Sequence, residues 1–136
     1  MMKHRGVWMF NKGFTLVEVM IVVMVIALLA AGLIPVLVRA RLSANDAIAK
    51  SALRHLSTAS ETFFTLNGGN YPSSEAVLTT ATPPYIDRNY CDTTVSGFQY
   101  TCVFDTGAYA FTATPVKVLT TGTTTFSMST GGLLSP

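Results

Sequence analysis

Lys12-Gly13-Phe14-Thr15-Leu16-Val17-Glu18 leads directly into Val19-Met20-Ile21-Val22-Val23-Met24-Val25-Ile26-Ala27-Leu28-Leu29-Ala30-Ala31-Gly32-Leu33-Ile34-Pro35-Val36-Leu37-Val38, a run without a single charge. As a helix this run is long enough to cross a bilayer core of about 30 Å. Glu18 stands at its mouth. A carboxylate deep in such a helix costs about 2.5–3.5 kcal/mol, so an acid kept there calls for a functional explanation. Upstream, Lys3, Arg5 and Lys12 are all positive. After Gly13, six basic residues (Arg39, Arg41, Lys50, Arg54, Arg88, Lys117) face seven acidic ones. Basic flanks stay in the cytoplasm, so residues 1–13 are expected inside and the bulk of the chain outside. The basic balance therefore belongs to the leader. It leaves no footprint for nucleic acid, and none is expected as a partner.

The order of features separates this segment from an ordinary secretory signal, in which an apolar run precedes a small-residue cleavage site. Here charge comes first, then Gly13, then the apolar run, and Arg39-Ala40-Arg41 stands where a cleavage site would fall. The apolar helix is expected to remain on the mature chain. Helical pattern continues beyond it. Residues 39–66 hold no Gly or Pro, and Ile48, Ala52, Leu56, Ala59 and Phe63 recur at three- and four-residue steps as one buried stripe. Asp46 and Lys50 fall off the stripe at a favourable i,i+4 spacing. Asn67-Gly68-Gly69-Asn70 supplies stop chemistry. An unbroken helix from Phe14 to Leu66 would run about 80 Å, with Gly32 and Pro35 as the expected site of a bend.

From residue 70 the composition turns to Thr, Tyr, Phe, Gly and Pro. A loop with a short helical turn is expected at Tyr71–Leu78. Phe98–Phe104 alternates at period two, Asp105-Thr106-Gly107 reads as a turn, Tyr109–Ala113 as the return strand, and Thr124–Ser129 as a third strand ended by Gly131-Gly132. Three such strands need cover, and the stripe on the helix offers it. The expected fold is α+β, a long N-terminal helix whose second half packs on a small antiparallel sheet. Its segments are a leader over 1–13, a membrane or filament-core helix over 14–38, the outer half of the helix over 39–69, and a β-rich head over 70–136. Cys91 and Cys102 both fall on the outer side, where a bridge persists. Two separate buried thiols are the alternative.

Gly13, Phe14 and Glu18 ahead of a bilayer-length helix resemble the N-terminal pattern of type IV pilins and type II secretion pseudopilins. Pro35 falls at that family's helix-bending position, and Tyr109–Pro115, Gly122, Phe126 and Gly131-Gly132 are similar to its head strands. The resemblance implies cleavage between Gly13 and Phe14 by a prepilin peptidase, N-methylation of Phe14, and assembly through Glu18. The partners it implies are copies of the same chain in a filament and an inner-membrane assembly machine. The precursor would sit in the inner membrane with its leader in the cytoplasm, and the product would be a periplasmic or extracellular filament. Elementary chemistry fits this: Gly has no Cβ to obstruct a protease, and the cut creates an ammonium one turn from Glu18. A buried pair of that kind sets register, because breaking it is costly.

Pilus and pseudopilus, major and minor subunit, all stay open at this point. Two further readings compete: an uncleaved single-span protein with a ligand-binding outer domain, and a minor pilin at a filament tip. No phosphate loop, metal spacing or nucleophile–base set is present, so no enzyme and no cofactor are expected. Asp87, Asp92 and Asp105 are the residues on which calcium binding, known in some pseudopilin heads, would rest. His4 and His55 have no clustered partners and are expected at the surface. Tyr71, Tyr85, Tyr90, Tyr100 and Tyr109 are expected in core or rim packing.

Overall fold

The structure, a computed structural model, describes residues 13–136. These divide after Val36 into two compact units, one residue beyond Pro35. Helix α1 (Leu16–Leu66) begins in the first and ends in the second, and it is helical through both Gly32 and Pro35. Over residues 19–36 the helix is apolar on every face. Its bilayer-length window has no residue buried within the chain. Leu28 is 71% exposed and Ile26 58%, values that a folded interior never shows for such side chains.

The second unit, from Leu37 onward, is a complete α+β fold. Ala49, Ala52, Leu53, Leu56, Ala59 and Ser60 form the buried face of α1. This corrects the expected stripe. Ala52, Leu56 and Ala59 belong to it and Phe63 packs at its edge, but Ile48 points to solvent while Ala49 and Leu53 are fully buried. The covered face is broader than a single stripe because strands and a loop both lie on it. α1 closes as its Asn-Gly-Gly sequence suggests. Gly68 and Gly69 take positive φ, and the Gly69 amide donates to the Phe64 carbonyl at 3.0 Å, a Schellman closure that satisfies a free helix-end acceptor.

Helix α2 (Glu75–Thr80) follows the turn, then β1 (Thr94–Val95), β2 (Phe98–Asp105), β3 (Ala108–Pro115), β4 (Phe126–Ser129) and β5 (Leu133–Ser135). They pair in chain order as an antiparallel meander. Two strands are more than expected. Both hang on short hairpin turns, of which Gly131-Gly132 was expected only to end a strand and Ser96-Gly97 carried no expectation. Ser96-Gly97, with φ of 50° and 79°, joins β1 to β2, and Gly131-Gly132, with φ of 82° and 74°, turns β4 into β5. Period two holds throughout: Phe98, Tyr100, Tyr109, Phe111, Ala113, Phe126 and Met128 face α1, while Thr101, Val103, Ala110 and Ser129 face out. A chain of rings runs from Phe64 through Tyr71, Tyr109 and Phe111 to Phe104, with centroids 4.5–5.2 Å apart. Tyr71, Tyr90, Tyr100 and Tyr109 lie in this core and Tyr85 at its rim.

Candidate functional site

The N-terminal residues that carry the chemistry begin just outside the helix. Gly13, Phe14 and Thr15 are non-helical, and nothing lies within 4 Å of where a Cβ on Gly13 would stand. Phe14 is 82% exposed. Thr15 caps the helix: its Oγ1 accepts from the Glu18 amide at 3.2 Å, and its carbonyl accepts from the Val19 amide at 3.3 Å. Thr15-x-x-Glu18 is thus the sequence of a capping box, with the acid in the first turn where the helix dipole favours it. That pattern is present in the sequence, but the cost of a charge beside an apolar run is the stronger signal there and does not point to a cap. Phe14, Glu18, Val19 and Val22 line a shallow, mostly apolar recess.

In the head, two carboxylates are fully engaged. Buried Glu75 accepts from the Tyr90 amide and, at 3.1 and 3.2 Å, from the Cys91 amide. It thereby pins the loop whose next tie is covalent, a Cys91–Cys102 disulfide with Cα atoms 5.5 Å apart. Of the two readings of the cysteines, the bridge is the one found. Glu61 accepts from the hydroxyls of Tyr71 and Tyr109 and from the Gly131 amide, all within 3.2 Å, and Tyr109 also shares a 2.7 Å hydrogen bond with Ser57. Burial holds the Tyr71 and Tyr109 phenols above their ordinary value, and Glu61 raises both further. The Tyr100 hydroxyl is buried with no partner among the described residues. Burial, with nearby Tyr90 adding to it, pushes its phenol up to about 12.

The expected Asp46–Lys50 pair does not form. Asp46 accepts from the Thr123 amide and hydroxyl at 3.0 and 2.6 Å, while the Lys50 ammonium sits 4.7 Å from the centre of the Phe126 ring. Both helix charges are used to hold the β3–β4 loop and β4, contacts that no local spacing rule can foresee. Asp87 lies 3.8 Å from Arg88, Asp105 accepts from the Thr106 amide, and Asp92 sits in a left-handed turn. Among the described residues no three His, Cys, Asp or Glu side chains gather as metal ligands. His55 is exposed on the wall of an open groove of about 400 Å³; His4 lies outside the described residues.

Known proteins resemble this chain over the apolar helix and beyond it. Residues 8–34 match the family model described as the prokaryotic N-terminal methylation motif. The chain is 33% identical over 110 residues to the "Type IV wide pilus major component PilA4" of Thermus thermophilus, covering 78% of this chain and 83% of that protein. It is 44% identical over 54 residues to the "Type IV major pilin protein PilA" of Myxococcus xanthus, covering 40% of this chain but only 24% of that protein. No solved structure matches. The chain belongs to the type IV pilin family.

Proposed function

We propose that this chain is a prepilin, cut between Gly13 and Phe14 by a membrane prepilin peptidase, methylated at the new Phe14 amine and polymerised through α1. The product is a type IV pilus in which it repeats as a major subunit. The observation that carries this reading is the contrast along α1: a bilayer-length stretch with no cover of its own, preceded by an exposed Gly13-Phe14 bond held outside the helix. The two pilin relatives, both described as major components, favour a pilus over a secretion pseudopilus. In the membrane the lipid covers the apolar face; in the filament neighbouring helices replace it, through a non-closing contact that repeats along a fibre. Glu18 pairs with the Phe14 ammonium of a neighbour, and Gly32 and Pro35 give the helix the freedom to bend as subunits pack.

Mass spectrometry of the membrane-bound and sheared surface fractions tests the processing step. The expected mature terminus is N-methyl-Phe14, and retention of residues 1–13 in filaments would overturn the reading. Glu18→Ala is expected to be processed normally yet to give few or no filaments. Because Glu18 also stands in a capping box, Thr15→Val provides the comparison. If Thr15→Val loses filaments as completely as Glu18→Ala, the acid acts through the cap and the pairing is wrong.

A further inference from the structure

The loop between β3 and β4 shows an unusual combination: it is anchored firmly to the head, yet it turns its aliphatic side chains outward. Gly122 lies so close under Phe98 that a Cβ there would stand 2.2 Å from the ring, and Gly97 packs against Thr121 in the same way, at 2.6 Å. Thr121 Oγ1 bonds to both the amide and the carbonyl of Lys117, and the Leu119 amide donates to the Gly122 carbonyl at 2.8 Å. A loop fixed this well has every opportunity to bury its apolar residues. Instead Val116, Val118 and Leu119 are 61, 62 and 72% exposed. Leu119 also takes φ of 62°, a conformation that costs an L side chain roughly 1–3 kcal/mol and marks sites where function compensates.

The direction of the loop identifies what it faces. Tyr109, at the start of β3, bonds Ser57 and Glu61 on α1; past Pro115, at the other end of the strand, Thr121 accepts from Asn45 at 2.8 Å and Thr123 is held by Asp46. β3 therefore runs toward the N-terminal end of the packed part of α1, and the loop continues that way. Asn45 comes seven residues after Val38, where the uncharged run ends, which is about 10 Å along a helix axis. The headgroup layer of a bilayer reaches about 5–8 Å beyond the hydrocarbon edge. Exposed Arg39 and Arg41 on α1 and exposed Lys117 in the loop lie at this same end, and the acid there, Asp46, is occupied by Thr123.

We propose that Val116-Lys117-Val118-Leu119 is a membrane-surface anchor: before assembly it dips into an anionic phospholipid headgroup layer, with the aliphatic side chains inserted and Lys117, Arg39 and Arg41 on lipid phosphates. The surface is aliphatic and cationic, as lipid docking requires, and has no aromatic ring of the kind that dominates protein–protein hot spots. The inference rests on the membrane-spanning reading of α1. It adds a second tether, which fixes how the head stands on the bilayer and must be released when a subunit is extracted.

The test uses the full-length chain with Trp8→Phe, in vesicles of phosphatidylethanolamine and phosphatidylglycerol doped with bromine-labelled lipid. Tryptophan is placed at Val118→Trp or, separately, Val116→Trp, with Val103→Trp on the outer sheet face as a control. Blue-shifted emission and loss of most intensity to the brominated lipid are expected for the two loop probes, with the control unchanged. Lys117→Glu in the Val118→Trp background should weaken the quenching. Loop probes that emit as in water from inserted protein overturn the anchor while leaving the span intact. A blue shift that grows with protein density without bromine quenching also overturns it, and identifies a second copy as the occupant. Failure of the chain to float with vesicles removes the spanning reading, and the anchor with it.

Discussion

Glu18 and Glu61 sit on the same helix, and they differ in who completes them. Around Glu61 the chain itself supplies two phenols and an amide, in a unit whose core is sixteen buried side chains. Around Glu18, among the described residues, it supplies only the cap at Thr15, in a unit whose described large apolar side chains stand 48–82% exposed. One stretch of helix is finished by intramolecular packing. The other is finished only by another phase or another molecule. Stability and assembly are thereby separated along one element: changes to the buried face after Leu37 should act on folding of the head, and changes before it on membrane and filament.

The largest effect that can break this separation is a cavity in the core. Phe111 is fully buried in the centre of β3, and Phe111→Ala should lower the unfolding free energy of the head by about 3–5 kcal/mol. Ile26→Ala removes a comparable apolar group from the first unit and should leave head unfolding, followed by near-ultraviolet circular dichroism in detergent, unchanged. If Ile26→Ala shifts the head transition as well, the two units fold as one and the separation fails.

The disulfide sharpens the comparison within the head. Cys91→Ser with Cys102→Ser opens a short loop that the bridge closes, at a cost of about 3 kcal/mol, read as a drop in the denaturant midpoint. Glu75 can still hold the backbone amides of positions 90 and 91 in that variant, so the loop should stay ordered in the folded state. Proteolysis at 81–93 as fast as in the unfolded chain would show that the bridge, and not Glu75, positions the loop.

How much of this was legible in the sequence follows the same division. In the first unit the apolar helix and the family were readable, because they lie in linear order: Gly13, Phe14, Glu18, then an apolar run. What escaped there was the local meaning of Thr15. In the head, the α+β class, the central hairpin from Phe98 to Ala113 and the end of α1 at Asn67 were readable from period and turn chemistry. Two edge strands were not, since β1 has two residues and β5 three, too few to show alternation. The rotation of the buried face from Ile48 to Ala49 and Leu53 depends on where the sheet lies. The roles of Asp46, Glu61 and Glu75 depend on residues 10–77 positions away in sequence, and no i,i+3 or i,i+4 spacing rule reaches that far.

The smallest predicted effect tests whether Glu61 is as self-contained as the comparison requires. Glu61→Gln keeps one acceptor oxygen and the shape but loses the charge, so the bonds from Tyr71, Tyr109 and Gly131 weaken and the head should lose about 1.5–3 kcal/mol. The phenols give an independent readout. Burial is the main cause of their raised values and survives the substitution; the hydrogen bonds to Glu61 and its charge add to it and do not. Both tyrosines should therefore ionise at lower pH in the variant than in the parent, seen by ultraviolet absorbance. A phenol with a raised value in the folded state favours folding through its neutral form. That contribution is whole below the ordinary value of 10.0 and disappears as pH rises through the raised one. The parent should thus lose stability on the alkaline side of pH 10.0, and the variant should show a shallower loss. Equal alkaline slopes in the two proteins would mean that the Glu61 contacts form only weakly in solution, and that the second unit, like the first, waits for a neighbour to complete it.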